Sequence, residues 1–328
     1  MPKFELDYAV ETAGLIADPI KSYLESTEKR MHKDVLDDTV QRMRQVIVKD
    51  LMQPRDTRIG KESCTLYSGP CARKSRLTFD GAEREPIKAR TVLKFLLGDL
   101  VELSVLAVAR LAGCHITDNN IDLTVTGEDG VAIAVHPDGF YEAPDGTGYN
   151  IEIKSCDSRT FDAWLATGGP SDEWGYRTQA SMEVQAWREY GRSVNSTIFI
   201  GVSTGSRQGS IAEWIVPFEE RLVIGWHERR LMARQDAPPA VPFEGEPEIQ
   251  FMRGKQADAE WFFHGEPKPR QNDKGVIYGW DVLTGRYTVP IMCSYCDFRA
   301  AHCWQQAVME MDGNKPVWIV PVTDGGHS

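Results

Sequence analysis

A segment that alternates, turns and alternates again, residues 131–155, limits what this chain can fold into more than any other part of it. Val131 to Val135 reads as one strand and Tyr149 to Lys154 as a second. Pro144-Asp145-Gly146-Thr147-Gly148 between them is a strong turn signal. Side chains alternate across a strand, so Asn150, Glu152 and Lys154 share one face and Ile151 and Ile153 the other. Folding the strands back about residues 145–146 sets Asp138 opposite the Glu152–Lys154 pair. A slip of one residue would turn the carboxylate face inside out, and the sequence leaves that register open.

The pattern Asp138…Glu152-x-Lys154 is the kind that phosphodiester hydrolysis needs. The substrate is already negative and gains charge in the transition state. Hard carboxylate oxygens that hold one or two Mg²⁺ or Mn²⁺ ions offset that charge and acidify a bound water. A lysine beside them can orient or deprotonate the water, or stabilise charge on phosphorus. A solvated surface hairpin produces the same short pattern, so the pattern alone does not decide the function.

The chain has 328 residues, 41% of them hydrophobic, enough for one large domain or two modest ones. No run of apolar residues is long enough to span a membrane, and the first residues lack a charged-then-apolar leader, so a cytoplasmic protein with no membrane partner is expected. The net charge of −11 argues against sequence-blind coating of duplex DNA but allows a narrow basic channel. Basic clusters stand at Arg73, Lys74 and Arg76, at Arg84, Lys88, Arg90 and Lys94, and at Arg229, Arg230 and Arg234. Taken singly, each reads as a solvated helix face.

The periodicities predict a charged helical segment within residues 1–55, a long helix from about Ile87 to Leu111, and strands near 121–126, 131–137 and 149–155. A helix over 174–191 closed by Gly191, a buried strand over 196–202, a strand near 211–216 and a helix from Pro217 to about Arg234 follow. This order gives a mixed α/β core, a central sheet with helices against it. Ala237-Pro-Pro-Ala-Val-Pro242 ends that core, and residues 243–290 read as an irregular excursion with a hairpin. The expected division is an N-terminal helical region 1–86, a core 87–236, and an irregular C-terminal region 237–328 packing back on the N-terminal region.

Seven cysteines without a secretory leader do not suggest disulfides. Cys114 and Cys156 read as buried small residues. Cys293-Ser-Tyr-Cys296-Asp-Phe-Arg-Ala-Ala-His-Cys303 is a metal-ligand spacing that needs a fourth ligand. Four thiolates suit an iron–sulfur cluster, and three with a histidine such as His302 suit structural Zn²⁺. Cys71 or Cys64, upstream of the core, would close the set.

Together these residues resemble the PD-(D/E)XK nuclease superfamily, in particular its iron–sulfur branch of RecB-like exonucleases, which includes CRISPR-associated, helicase-linked repair and phage enzymes. Cys71-Ala-Arg73-Lys74 looks like that branch's first cysteine followed by Arg-Lys. Gly98-Asp-Leu-Val-Glu102 resembles its helical acidic motif. Pro137-Asp138-Gly139 and Glu152-Ile153-Lys154 match its two metal motifs, residues 176–190 its glutamine helix, and Cys293, Cys296 and Cys303 its terminal triplet.

The resemblance implies a restriction-endonuclease-like core with a [4Fe–4S] cluster on Cys71, Cys293, Cys296 and Cys303. It implies Mg²⁺ or Mn²⁺ on Glu102, Asp138, Glu152 and the Ile153 carbonyl, with Lys154 acting on water and Gln179 assisting. Arg73, Lys74 and Tyr176 would touch DNA. The implied activity is exonucleolytic cleavage of single-stranded or frayed DNA ends in a bacterial or phage-infected cell. The implied partners belong to recombination, helicase-linked repair or CRISPR adaptation.

The chain departs from the family pattern in three places. Val101 stands where a histidine often precedes the first Glu, which weakens a preference for Mn²⁺; His136 reads as a plain strand-end histidine. Glu183, not Tyr, follows Gln179 at the helical offset. The second cysteine gap is six residues where five is common, which keeps zinc open. Two other readings stand beside the exonuclease: a non-catalytic DNA-binding or adaptor protein on the same fold, and a zinc-stapled endonuclease.

Overall fold

The computed structural model of the chain describes residues 14–26, 32–52, 62–118, 121–205, 210–235, 246–252, 268–272, 274–288, 293, 296–303, 305, 307–312 and 315–320. Contacts divide the chain into two compact units. The first takes residues 1–81 and 88–239, the second residues 82–87 and 240–328. The Pro-rich boundary expected at 237–242 lies outside the described residues.

In the first unit the chain runs through α1 (Ala17–Glu25), α2 (Lys33–Met52), α3 (Cys64–Ser68), α4 (Ala72–Phe79) and α5 (Ala89–Leu111). Then come β1 (Ile116–Thr117), β2 (Leu123–Thr126), β3 (Ala132–Val135), β4 (Gly139–Glu142) and β5 (Gly148–Cys156). Helices α6 (Ser158–Thr167) and α7 (Tyr176–Glu189), strands β6 (Val194–Ser203) and β7 (Ile211–Pro217), and α8 (Glu220–Ala233) complete it. The central sheet has five strands in the order β1-β4-β5-β6-β7, with β5 and β6 parallel and the other neighbours antiparallel. This is the mixed α/β core, a mixed sheet flanked by helices, that the order of periodicities predicts.

Alternation along β5 and β6 decides what lies on each face. Ile151, Ile153, Ile198 and Ile200 pack with Ile16 and Ile20 of α1 and with Val105, Leu106 and Ala109 of α5. Phe199 turns the other way, into a cluster with Phe161, Trp164 and Trp214. Burying each such side chain is worth about 1.5–3 kcal/mol, so this double-sided burial, not helix propensity, sets the position of α5 against β5.

One sequence expectation is corrected here. The strand at 131–135 is not the partner of the strand at 149–154. It pairs as β3 with β2, Leu123 opposite Val135, in a separate two-stranded sheet. The partner of β5 is β4, with Gly139 opposite Ile151 and Glu142 opposite Gly148. Pro137 separates the two strands: it has no N–H to give to a ladder, so one strand ends before it and another begins after it.

The helix ends follow from their capping residues. Asp157 accepts from Thr160 N at 2.9 Å to start α6, and Gly168 at φ 73° ends it. Gly175 precedes α7 at φ 80°, and a Cβ there would lie 2.1 Å from the carbonyl oxygen of Ser68. Only glycine lets α7 begin so close to the end of α3.

The basic cluster at Arg229, Arg230 and Arg234 is not a solvated face. Arg230 is 1% exposed and grips two carboxylates bidentately. It reaches Glu62 at 3.1 and 2.9 Å and Asp129 at 3.0 and 2.9 Å, and Arg234 adds a 2.7 Å bond to Asp129. Gly127 makes room, since a Cβ there would lie 2.8 Å from the guanidinium. The pairing ties α8 to the β2–β3 turn and to the segment before α3.

The second unit holds β8 (Glu246–Met252), β9 (Lys268–Gln271), β10 (Ile277–Thr288), a π-helical turn (Arg299–Cys303), β11 (Val308–Asp312) and β12 (Lys315–Val320). Its sheet runs β11-β12-β10-β8, with β9 also on β10. Residues 243–290, expected to be irregular with a hairpin, hold that hairpin as β9 and β10, and among the described residues they also supply β8, antiparallel to β10. Within this unit Glu85 N donates to Asp297 O at 2.7 Å, and His302 Nε2 contacts Glu83 O at 3.0 Å. Among the described residues no helix is long and apolar enough to cross a membrane.

Arg230→Met should remove about 3 kcal/mol of stability, because it leaves Glu62 and Asp129 without their buried cation. Urea unfolding of the variant beside the wild type measures it. A loss under about 1 kcal/mol would mean that the pairing is not what holds α8 in place.

Candidate active site

The ladder between β4 and β5 ends at Gly139 and Ile151. Beyond that point β5 keeps only its parallel partner β6, through Cys156 opposite Ser203. The two strands part, and the next residue on each side of the fork is Asp138 and Glu152. Asp138 Oδ2 accepts the Ile153 N–H at 2.6 Å and so continues the ladder with a side chain. The N–H and C=O of one strand residue point to the same edge, so the Ile153 carbonyl also faces the fork.

Glu152 is fully buried, and among the described residues its Oε2 has no hydrogen-bond partner. It forms an ion pair with Lys154, whose side chain is 26% exposed. A buried carboxylate normally gathers several donors, since an unpaired one costs several kcal/mol. Glu152 has a lysine on Oε1 and an unused Oε2 among the described residues.

Charge is crowded around it. Burial, then the charge of Glu152, raises the Glu102 carboxyl to about 7, against the pull of Lys154. Burial, Glu102 and Glu152 push Asp138 well above the carboxylate range. Burial opposes charge on Lys154, but Glu152 and Asp138 outweigh it and hold the ammonium strongly protonated. Glu102 on α5, Asp138 at the fork and Glu152 and Lys154 on β5 therefore form one electrostatic group.

Helix α7 closes the face that Asn150 and Glu152 share. Glu183, 1% exposed, accepts from Asn150 Nδ2 at 2.8 Å and from Gln179 Nε2 at 2.9 Å. Trp187 Nε1 donates to Asn150 Oδ1 at 3.0 Å. Burial, then Glu152, pushes Glu183 well up, while Lys154 and the two amide donors pull it back. Tyr176 opens the helix with its ring edge-on to Trp164 at 5.8 Å.

The structure thus brings together Glu102, Asp138, Glu152, Ile153, Lys154 and Gln179, with Tyr176 on the same helix as Gln179. Sequence reasoning missed Asn150, Glu183 and Trp187 as a bonded set. The signal was faint: a Gln–Glu pair at helical spacing, where the family pattern has Tyr. Exposed His136 pairs with Asp122 at 2.9 Å.

Among the described residues, no group of three or more His, Cys, Asp or Glu is gathered closely enough to form a metal cage. The donor chemistry still suits a hard divalent cation. Glu152 offers an Oε2 without a partner among the described residues, the Ile153 carbonyl lies on the same edge, and Glu102 and Asp138 add charge that one lysine does not balance.

The cysteines divide between the units. Cys71 lies in the first, where it caps α4 by accepting Lys74 N at 3.4 Å. Cys293, Cys296 and Cys303 lie in the second. Cys64 is a neutral buried thiol, pushed far up by burial and in contact with Ser68 Oγ at 3.6 Å. Arg73 and Lys74 stand on the first turn of α4, Lys74 exposed.

No protein-family model and no curated protein matches the chain. Among solved structures it is similar to the crystal structure of SSO0001, with 14% identity over 63% of this chain and 89% of that one, at a TM-score of 0.39. It is also similar to a "putative exonuclease" from Eubacterium rectale, with 12% identity over 64% of this chain and 84% of that one, at a TM-score of 0.31. Likenesses this distant assign no activity.

The raised Glu102 carboxyl fixes a pH dependence. Its pKa rises on folding from 4.5 to about 7, so the folded state binds the extra proton. The resulting stabilisation is full below pH 4.5 and is lost as pH climbs through 7. In EDTA, Glu102→Gln should therefore be more stable than wild type at pH 8, by about 2 kcal/mol, and nearly equal to it at pH 4.5. Urea unfolding at the two pH values checks both the sign and the window.

Proposed function

We propose that this protein is a metal-dependent deoxyribonuclease of the PD-(D/E)XK type that hydrolyses phosphodiester bonds from single-stranded or frayed DNA ends. One observation carries the reading. A fully buried glutamate with one oxygen on a lysine and, among the described residues, no hydrogen-bond partner for the other stands at the fork where β4 leaves β5, opposite Asp138. A buried carboxylate in that condition makes physical sense as a ligand for a hard cation, and a lysine so close makes sense as a partner for a phosphate or its nucleophile.

In this reading Glu152, Asp138, Glu102 and the Ile153 carbonyl hold Mg²⁺ or Mn²⁺. The bound ion supplies charge neutralisation and an acidified water. Lys154 is held as an ammonium, so it donates: it orients the water and stabilises charge on the phosphoryl oxygens rather than taking a proton. Asp138 gives one oxygen to Ile153 N and keeps the other for the ion. Gln179 assists from α7. Tyr176, Arg73 and Lys74 are the proposed DNA contacts.

A [4Fe–4S] cluster on Cys71, Cys293, Cys296 and Cys303 is a further part of the proposal. It is supported by the ligand spacing and by the position of Cys71 at a helix N-terminus, which favours a thiolate. Structural zinc is the alternative. Proteins of recombination, repair or CRISPR adaptation are the proposed partners.

End-labelled single- and double-stranded DNA, incubated with anaerobically purified protein and Mg²⁺ or Mn²⁺, tests the activity. Lys154→Ala should lower cleavage about a thousandfold without loss of folding or DNA binding. Cleavage that survives this change, or survives EDTA, overturns the mechanism. Closed circular DNA should resist; nicking of it would favour an endonuclease. Metal analysis should find iron and sulfide that Cys293→Ser loses, whereas a colourless preparation loaded with zinc would refute the cluster.

A further inference from the structure

A line of hydrogen bonds through the interior of the first unit fixes which way the Gln179 amide faces. It starts at Trp187, whose indole N–H can only donate, and which donates to Asn150 Oδ1 at 3.0 Å. That contact orients the Asn150 amide, so its Nδ2 must face away, and it donates to Glu183 Oε2 at 2.8 Å and Thr197 Oγ1 at 3.0 Å. The second oxygen of Glu183 accepts from Gln179 Nε2 at 2.9 Å. Trp187, Asn150 and Glu183 are all essentially inaccessible, so no bulk water competes for these bonds.

Gln179 differs from the other three. It is half-buried, and among the described residues its Oε1 has no hydrogen-bond partner. Tyr176 and Glu183 lie on either side of it along one face of α7, and both feel the charges of Glu152 and Lys154. The free carbonyl of Gln179 therefore sits on the helix face turned to that pair.

We propose that Glu183 is a positioning residue: it holds the Gln179 amide with its nitrogen inward and its oxygen outward, as a fixed hydrogen-bond acceptor for the attacking water. The role of that acceptor rests on the nuclease reading above; the hold of Glu183 on Gln179 does not. Glu183 occupies the offset from Gln179 where the resemblance leads one to expect a tyrosine, and tyrosine would not anchor the amide from below with a carboxylate. The anchor also gives Asn150 a function. Asn150, oriented by Trp187, holds one oxygen of the carboxylate in place, and the carboxylate, which can only accept, takes the Gln179 amide by its NH₂.

Glu183→Gln tests this with little change in volume. Asn150 stays locked by Trp187, so the new side chain must turn its oxygen to Asn150 and its NH₂ to position 179. Gln179 must then reverse and present a donor outward. Cleavage of end-labelled single-stranded DNA should lose at least about tenfold in kcat, with KM within about twofold. The exchange Gln179→Glu with Glu183→Gln restores an outward acceptor and should recover most of that loss. A purely structural role for Glu183 predicts no recovery, and that result would overturn the proposal. Thermal unfolding confirms that both proteins are folded.

A second measurement does not depend on activity. The Gln179 side-chain NH₂ signal in ¹⁵N-labelled protein, identified by its disappearance in Gln179→Ala, should exchange with water at least about tenfold faster in Glu183→Gln than in wild type. Equal exchange rates would overturn the proposal. If exchange differs while the wild type cuts no DNA, the nuclease reading fails and the hold of Glu183 on Gln179 stands.

Discussion

The bond from Ile153 N–H to Asp138 Oδ2 is the contact on which the candidate site depends. Where two strands part, the last backbone groups on the open edge lose their partners, and a buried N–H without a partner is costly. A carboxylate fills that need here, and in doing so it is fixed opposite Glu152 with no freedom of register. The same bond makes the site inseparable from the sheet. A slip of one residue would turn Glu152 toward α5, into the layer of Ile16, Val105 and Leu106, and send Ile151 and Ile153 toward Glu183. The isoleucines on one face and Asn150 and Glu152 on the other are therefore one constraint, not two.

The carboxylates are not equivalent, and burial alone does not explain the difference. Glu183 and Glu152 are equally hidden, yet Glu183 accepts on both oxygens while Glu152, among the described residues, has only the Lys154 ammonium on one. A side chain kept for structure gathers donors, as Glu183 does and as Glu213 does with Leu15, Ile16 and Ala17 N at the start of α1. Glu152 is kept short of donors within a charge-dense fork. That shortage costs stability, and such costs persist where a site needs the free ligand.

The long elements were legible in the sequence because each is written in many residues at once. The apolar run before Leu111, the helix closed by Gly191 and the strand ending near Val202 all have a period long enough to identify. Turn chemistry set Asp138 opposite the Glu152–Lys154 pair but left the register open, which the ladder from Gly139 to Ile151 decides. What escaped was short or depended on a distant partner. Ala132–Val135 and Gly139–Glu142 are four residues each, and only Pro137 marks them as belonging to different sheets. Helix α6 has both its caps written in Asp157 and Gly168, but its apolar residues are too few to give a period. Asn150, Glu183 and Trp187 could not be read as a set, because no local pattern says that a polar strand residue will meet two positions of a later helix. Residues 243–290 hid their strands for a related reason: a sheet assembled from pieces separated by tens of residues leaves no local repeat.

The protonation of Lys154 narrows what the site can do. Burial alone would favour the neutral amine, and a neutral lysine is the form that could take a proton from water. Glu152 and Asp138 reverse that preference, and Glu183 adds to it, so the lysine is a fixed positive charge. A proton acceptor for an attacking water must then lie elsewhere in the fork. Glu102 and Asp138 are carboxylates with raised proton affinity at the fork; both owe it first to burial, Glu102 then to Glu152, and Asp138 then to Glu102 and Glu152. An acceptor carbonyl on Gln179, held from behind by Glu183, would point the water without taking its proton. Orientation would fall to Gln179 on α7, and proton removal to Glu102 on α5 or Asp138 at the fork.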